Sequence, residues 1–262
     1  MAAEVKTTMP AQVVFVGAGP GDPELITVKG QRALQRADRV VYAGSLVNPA
    51  LLDHCRRGIP LHDSSALTLE EVVAIMVSGV KNGEYVVRLH TGDPSLYGAI
   101  REQMDRLAQE GVPFSVIPGV SSVFAAVAAL EREFTLPAVS QTLILTRLAG
   151  RTPVPEKENL AALARHGASM AIFLSVQEIG QVVDSLRAGY PSSTPVAVVY
   201  KASWPDQKIL RGTLADIEEQ VKREGVRKTA QILVGDFLTS PYSRSKLYDP
   251  GFSHAYRQGR AE

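Results

Sequence analysis

The sequence has few of the residues that build covalent or metal-bound frameworks. Its 262 residues include one cysteine, Cys55, so no intrachain disulfide can form. That scarcity is typical of a reducing compartment, and we expect Cys55 to fill the core as a small apolar residue. The five histidines lack the spacing of metal ligands, so we expect no bound metal.

An excess of charge and long apolar runs are also missing. The formal net charge is +1, which provides no general attraction to nucleic acid or to an anionic membrane. No apolar stretch approaches the ~20 residues that cross a bilayer, and the first ten residues lack the pattern of a signal peptide. We therefore expect a soluble, cytoplasmic protein without a nucleic-acid or membrane partner.

What is present is a regular alternation of strand-like apolar runs and amphipathic helical patterns. This pattern predicts an α/β protein with mostly parallel strands. We predict an N-terminal α/β domain over 11–117, a C-terminal α/β domain over 118–240 and a polar C-terminal extension over 241–262. Three helices are expected to begin at capping residues, namely Thr68, Ser95 and Thr213. The predicted strands are 12–16, 39–42, 85–89, 114–117, 142–146, 170–174, 196–200, 207–211 and 231–234.

A glycine-rich loop, G-A-G-P-G-D-P at 17–23, follows the first predicted strand directly. A dinucleotide fingerprint would need a glycine where Asp22 stands, and Pro20 and Pro23 remove two backbone N–H donors. No Gly-Lys-Ser/Thr follows, so a Walker A loop is excluded as well. The loop is therefore unsuited to phosphate and predicts a ligand of another kind, which disfavours a nicotinamide-dependent oxidoreductase.

Two more loops follow predicted strands in the same way, T-G-D-P-S at 91–95 and P-G-V-S-S at 118–122. Each taken alone is an ordinary turn with a helix cap. Because carboxyl ends of parallel strands share one edge of a sheet, the three loops together predict a binding crevice there. They offer backbone groups and small hydroxyls, which suits the amino-acid and adenosine parts of a ligand.

The three loops in this order resemble the tetrapyrrole methylase family, from about Val13 to Leu238. Further stretches resemble the branch that methylates C(11) of precorrin-4 in cobalamin biosynthesis: 41–49, 136–142, 146–147, 150–156 and 245–250. The resemblance implies two α/β domains with the active site between them, S-adenosylmethionine as methyl donor, a precorrin substrate and a homodimer. A sister methylase acting on another ring carbon or on the cobalt-containing ring, and a non-catalytic binding module, remain alternatives.

The resemblance also implies which residues bind the cofactor, many of them through the backbone. They are Pro20, Thr91, Gly92, Asp93, Leu96, Ser121, Ser122, Leu174, Ala202, Thr229 and Ala230. For the substrate's carboxylates we expect Arg147, Arg151 and Lys201, although each could equally belong to a solvated positive face. Tyr97 is a further substrate candidate.

A catalytic residue is not identified by the sequence. Asp22 and Asp93 are candidates for a base by position, but each is better explained as a turn and cap residue. Methyl transfer from a sulfonium depends mainly on placement, so we expect neither carboxylate to be an obligatory base.

Overall fold

The computed structural model describes residues 10–260. They divide into two compact units. The first comprises the described residues up to Ala125 together with Ser203–Pro205, and the second comprises Ala126–Ala202 with the described residues from Asp206 onward. The division falls inside a helix, later in the chain than the predicted domain boundary at 117/118. That domain boundary stays a prediction.

The first unit is built on a five-stranded parallel sheet. The strands are β1 (Gln12–Gly17), β2 (Arg39–Tyr42), β3 (Leu61–Asp63), β4 (Tyr85–His90) and β5 (Phe114–Ile117). Their order in the sheet is β3-β2-β4-β1-β5, in which adjacent strands are hydrogen-bonded. The helices are α1 (Val28–Arg36), α2 (Leu69–Lys81), α3 (Ile100–Gln109) and α4 (Ser122–Ala129), and the division between the units falls within α4.

Helices cover both faces of this sheet, which explains why its central strands are almost wholly apolar. Val14 and Val87 pack with Leu34 of α1 on one face. Phe15 and Val86 pack with residues of α2 and α3 on the other. Helix α2 begins at Thr68 with the predicted capping box, in which Thr68 and Glu71 satisfy each other's backbone N–H groups.

The second unit contains a sheet of mixed direction, and the expectation of mostly parallel strands is wrong here. The strands are β6 (Leu143–Arg147), β7 (Ser169–Phe173), β8 (Pro195–Tyr200), β9 (Lys208–Thr213) and β10 (Ala230–Val234). Their order in the sheet is β6-β7-β10-β8-β9, and of the four strand pairs only β6–β7 is parallel. The helices α5 (Leu160–Ala164), α6 (Ile179–Leu186) and α7 (Ile217–Arg223) pack on one face.

Two predicted helix starts are also wrong. Helix α3 begins after Ala99, not after Ser95, because Asp93 forms a tight turn that uses the backbone N–H of Ser95. Helix α7 begins after Asp216. Strand β9 continues to Thr213, and the Asp216 carboxylate closes a turn by accepting from the backbone N–H of Thr213. In both places a local side-chain turn forms where the sequence pattern predicts a helix cap.

Candidate functional site

The three glycine loops lie side by side at one edge of the first sheet, as predicted. They follow β1, β4 and β5, and β1 is paired with both of the other strands. Gly19 and Gly92 form a pair of backbone hydrogen bonds, with N···O distances of 3.3 and 2.8 Å. The first two loops are thus joined to each other by backbone groups directly beyond the ends of their strands.

Close backbone approach explains the glycines at 17 and 119. A Cβ on Gly119 would lie 2.2 Å from the carbonyl oxygen of Gly92, and one on Gly17 would lie 2.4 Å from the Cα of Gly119. Any side chain at these two positions would force the loops apart. The glycines therefore bring the loops together, whether or not a ligand is bound.

Asp93 ties the second loop to the third. One carboxylate oxygen accepts from the N–H of Gly119 at 2.9 Å, and the other accepts from the N–H and the hydroxyl of Ser95. Partial burial raises the pKa of Asp93, but the hydrogen bonds from Ser95 and Gly119 outweigh it, so the pKa lies below its usual value. Asp93 is therefore an ionised structural anchor, as the turn interpretation predicts.

The first loop is held by side chains from elsewhere in the first unit. The indole Nε1 of Trp204 donates to the carbonyl of Pro20 at 2.9 Å, and Asn48 Nδ2 donates to the carbonyl of Gly21 at 2.8 Å. The N–H of Asp22 donates to Ser203 Oγ at 3.0 Å. The Asp22 carboxylate accepts from the N–H of Glu24, capping a short 3₁₀ turn.

The remaining first-unit candidates lie on these same loops. Thr91 is exposed and Leu96 is half-buried, while Ser121 is buried and its hydroxyl accepts from the N–H of Val123 at 3.4 Å. Ser122 is half-buried at the start of α4. The loop segments 17–23, 91–99 and 118–122 contain no lysine or arginine, so they provide no side-chain cation for a phosphate.

The second-unit candidates share one edge of the second sheet. Leu174 follows the end of β7, Ala202 follows the end of β8, and Thr229 and Ala230 stand at the start of β10. Since β10 is antiparallel to both of its neighbours, its first residue lies beside their last ones. Ala230 is paired with Tyr200, and the N–H of Lys201 donates to the carbonyl of Thr229 at 2.8 Å.

Unfavourable backbone conformations are concentrated on the loops of these two edges. Among the described residues, eight that are not glycine have positive φ, and six of them fall there. These six are Tyr97, Ala99, Leu174, Lys201, Ser203 and Thr229, with φ between +47° and +71°. Each costs about 1–3 kcal/mol, and such residues cluster at binding and catalytic sites.

The backbone conformation and the exposure of Leu174 are both unfavourable for an apolar residue. It combines a φ of +55° with a side chain that is 73% exposed. Neighbouring Ser175 is buried, and its hydroxyl accepts from the N–H of Leu148 and donates to the carbonyl of Phe173. The backbone is therefore held so that an apolar side chain stays in the open, which suits contact with an apolar or aromatic ligand group.

Comparison with known proteins assigns the family. The model for tetrapyrrole (corrin/porphyrin) methylases matches residues 12–218, most of the chain. The chain belongs to the tetrapyrrole methylases. All three glycine loops and the second-sheet candidates Leu174 and Ala202 fall within the matched range, whereas Thr229 and Ala230 lie beyond it.

Several tetrapyrrole methylases are similar over almost their full length. A cobalt-precorrin-4 C(11)-methyltransferase of Methanocaldococcus jannaschii is 57% identical over 249 residues, covering 94% of this chain and 96% of that protein. The crystal structure of a cobalt precorrin-4 methyltransferase has a TM-score of 0.86 at 49% identity, covering 88% and 97%. A uroporphyrin-III C-methyltransferase of Thermus thermophilus, solved with S-adenosylhomocysteine, has a TM-score of 0.73 at 27% identity, covering 87% and 93%.

The predicted substrate cations of this methylase have contacts of their own. Arg147 donates to the carbonyls of Leu148, Thr152 and Pro153, so it shapes the loop that carries Arg151. Arg151 is exposed. The ammonium of Lys201 lies 2.6 Å from Asp206, whose hydrogen bond raises the pKa of Lys201. Tyr97 is 45% exposed on the second loop.

The five histidines and the single thiol all lie within the described residues. In that range no group of three or more His, Cys, Asp or Glu residues is placed to hold a metal ion. Cys55 is half-buried against the core, and burial raises the pKa of its thiol, so the unreactive protonated form is favoured. No helix within 10–260 is long and apolar enough to span a bilayer.

Sequence reasoning missed how the site's loops are held. The indole of Trp204 packs so closely on Gly21 that a Cβ there would lie 2.0 Å from it. Asn48 lies in the stretch 41–49 that resembles the precorrin-4 branch, and that resemblance is the one sequence signal that could have indicated a role for Asn48 at the site. Nothing in the local sequence indicates the contact of Ser203 with Asp22.

Proposed function

We propose that this tetrapyrrole methylase transfers a methyl group from S-adenosylmethionine to C(11) of precorrin-4 during corrin ring synthesis, giving precorrin-5 and S-adenosylhomocysteine. The proposal rests on one structural observation: six residues with costly positive φ fall on the loops to which the family resemblance assigns the cofactor. The position of methylation rests on the 57% identity to a cobalt-precorrin-4 C(11)-methyltransferase, whose name gives the same ring carbon.

The cofactor residues we propose are Pro20, Thr91, Gly92, Asp93, Leu96, Ser121 and Ser122 in the first unit, and Leu174, Ala202, Thr229 and Ala230 in the second. Their chemistry fits the molecule: the loops present neutral backbone donors and acceptors, small hydroxyls and the exposed side chain of Leu174. The structure of a relative with S-adenosylhomocysteine supports the same cofactor. When bound, S-adenosylmethionine supplies a methyl group that its sulfonium has already activated.

The chain's own contribution is then binding and orientation. Backbone groups of the locked glycine loops are rigid, so they hold a ligand without the entropy cost of ordering long side chains. Asp22 and Asp93 each accept hydrogen bonds from backbone N–H groups, and these contacts occupy them structurally. We therefore assign neither as an obligatory base. For the substrate's carboxylates we propose Arg151 first, with Arg147, Lys201 and Tyr97 around it.

The experiment that tests the reaction uses methyl-labelled S-adenosylmethionine with precorrin-4, offered metal-free and with cobalt in the ring. We expect one labelled methyl in the product, located at C(11) by NMR, and the preferred form of the ring identifies the natural acceptor. A methyl on another carbon would instead indicate a sister methylase. Binding of S-adenosylmethionine without transfer to either ring would indicate a binding module, and binding of NAD alone would overturn the proposal.

We further propose a homodimer in the cytoplasm that acts on a small molecule and not on nucleic acid. Exposed apolar side chains on the first unit, at Phe114, Val116 and Phe124, support a contact with a second copy. The single cysteine supports a reducing compartment. Light scattering coupled to gel filtration should give twice the mass of the 28.2 kDa chain. A monomer at micromolar concentration would exclude the dimer.

A further inference from the structure

We propose that Arg88 and Gln103 are positioning residues that hold the second glycine loop, 91–99, in the shape that binds S-adenosylmethionine. This inference rests on the proposed function, because it concerns the affinity of that same site. Neither residue belongs to the predicted cofactor or substrate set. Both are buried within the first unit, each about 6% exposed.

The two side chains form a continuous connection between the sheet and the loop. The Nε of Arg88, on β4, donates to Gln103 Oε1 at 3.1 Å, and another guanidinium nitrogen lies 3.4 Å from the carbonyl oxygen of Val41 on β2. Gln103, on α3, donates through Nε2 to the carbonyl of Ala99 at 3.1 Å. Ala99 is the last residue of the loop.

The charge of Arg88 decides how the Gln103 amide is oriented. A guanidinium can only donate, so the amide must turn its oxygen toward Arg88 and its NH₂ toward Ala99. No carboxylate within residues 10–260 forms an ion pair with Arg88, and desolvation lowers its pKa to about 10, which leaves it charged at neutral pH. A buried cation without an ion pair is costly, and a well-packed apolar residue would ordinarily be the more stable choice.

The loop that receives this bond needs to be held. Tyr97 and Ala99 have φ of +55° and +49°, and a Cβ on Gly98 would lie 2.3 Å from the carbonyl oxygen of Pro94. Ala99 is also the N-cap residue of α3 and makes no side-chain capping hydrogen bond. Conformations of this kind persist only where neighbouring contacts enforce them, and the amide of Gln103 supplies such a contact at the strained end of the loop.

The substitution Gln103→Glu separates positioning from stability. It keeps the size and the acceptor for Arg88, and adds a carboxylate that pairs with the guanidinium, but it removes the donor to Ala99. We expect a melting temperature at or above that of the wild type. We also expect the Kd for S-adenosylhomocysteine and the KM for S-adenosylmethionine to rise about tenfold, with a smaller change in kcat, because one hydrogen bond is lost.

Two further variants complete the design. Gln103→Leu removes both contacts, so both stability and affinity should fall. Met76→Ala is the matched control: Met76 is fully buried on the same face of the sheet and lies on α2, outside the loop, so stability should fall with an unchanged Kd. Calorimetry with S-adenosylhomocysteine and thermal unfolding measure all three full-length variants.

The outcomes distinguish the two proposals. If the wild type binds S-adenosylhomocysteine and Gln103→Glu binds it equally well, the positioning role is overturned and the proposed function stands. If Met76→Ala weakens binding as much as Gln103→Glu, general loosening of the unit explains the effect and the positioning role is likewise overturned. If the wild type binds neither form of the cofactor, the proposed function fails, and the positioning role with it.

Discussion

The candidate edges of the two sheets are built by opposite means. At the first, parallel strands end in loops that fit together through glycine backbones, and those loops contain no cationic side chain. At the second, antiparallel neighbours bring strand ends and a strand start together, and residues with full side chains adopt positive φ. The first edge depends mainly on glycines that allow close backbone contact, although its second loop also holds Tyr97 and Ala99 at positive φ. Among the described residues, the second edge has no such glycine contact and holds four residues with side chains at positive φ, namely Leu174, Lys201, Ser203 and Thr229. Substitutions should therefore fail differently at the two edges.

The largest effect is expected from adding one methyl group to the first edge. In Gly119→Ala the new Cβ would meet the Gly92 carbonyl at 2.2 Å, so the loops must separate. We expect a loss of about 3 kcal/mol in the free energy of unfolding and more than 100-fold weaker binding of S-adenosylmethionine. Denaturant unfolding and calorimetry measure both. Gly150→Ala is the control, because nothing lies within 4 Å of a Cβ there; similar losses in both variants would refute the close-packing argument.

The acid sensitivity of the first unit should depend on His90. Burial, aided by the charge of Arg88, lowers the pKa of His90 to about 3, whereas the unfolded chain has a pKa near 6.5. Between these values only the unfolded state takes up the proton, so stability is lost as pH falls from about 6.5 toward 3, by up to about 1.4 kcal/mol per pH unit. His90→Gln should flatten that slope. Substitution of the exposed His166 should leave it unchanged, and an equal slope in His90→Gln would contradict the argument.

Replacement of Asp22 and Asp93 tests whether either loop carboxylate acts as a base in addition to its structural role. In single-turnover methylation with bound cofactor, we expect Asp93→Asn to lose about 100-fold or less and Asp22→Asn less than that, because only turn contacts weaken. A loss beyond about 10⁴-fold with unchanged cofactor affinity would identify a base.

Asp93 should also contribute to the pH dependence of stability. Because the folded pKa of Asp93 is lowered, its stabilising contribution is present above the unfolded pKa near 3.9 and is lost as pH falls through the folded value.

At the second edge, removal of the Leu174 side chain should leave the fold as stable or more stable but weaken binding of the cofactor. Leu174→Gly relieves a positive φ without uncovering the core, since the side chain is 73% exposed. We expect the free energy of unfolding to stay the same or rise by up to about 1 kcal/mol, and the cofactor Kd to rise about tenfold. Glu131→Gly is the control, because Glu131 is exposed with the same φ of +55° but lies away from this edge. Weaker binding in Glu131→Gly would remove the contrast.

The smallest effect concerns the cations beside the second edge. Arg151→Ala should raise the KM for precorrin-4 several-fold, since one exposed charge contributes little by itself. Arg147→Ala should raise it further, because the loop carrying Arg151 also loses three carbonyl contacts. Steady-state kinetics with Lys228→Ala as an exposed control measures this. An unaltered KM in the variant that combines Arg147→Ala with Arg151→Ala would place the substrate's carboxylates elsewhere.

Prediction from sequence worked best where the determinant is local. The apolar runs of β1, β4 and β5 and the Thr68 capping box follow from short-range patterns, and all are confirmed. It failed at Ser95 and Thr213, where an aspartate side chain a few residues away forms a competing turn. It also missed β3, a three-residue strand with two exposed residues and hence no apolar pattern.

By itself the sequence determined the α/β class, the three glycine loops at one sheet edge and the family, because strand patterns and loop motifs are written in neighbouring residues. Only the tertiary structure decided the direction of the second sheet's strands, since an apolar strand packs equally well beside a parallel or an antiparallel partner. It alone brought Trp204 and Ser203 onto the first loop and joined Arg88 to Ala99 through Gln103. The contacts of Trp204 and Ser203 with the first loop each span more than 180 residues of chain, and that of Arg88 with Gln103 joins a strand to a helix, so no local pattern encodes them.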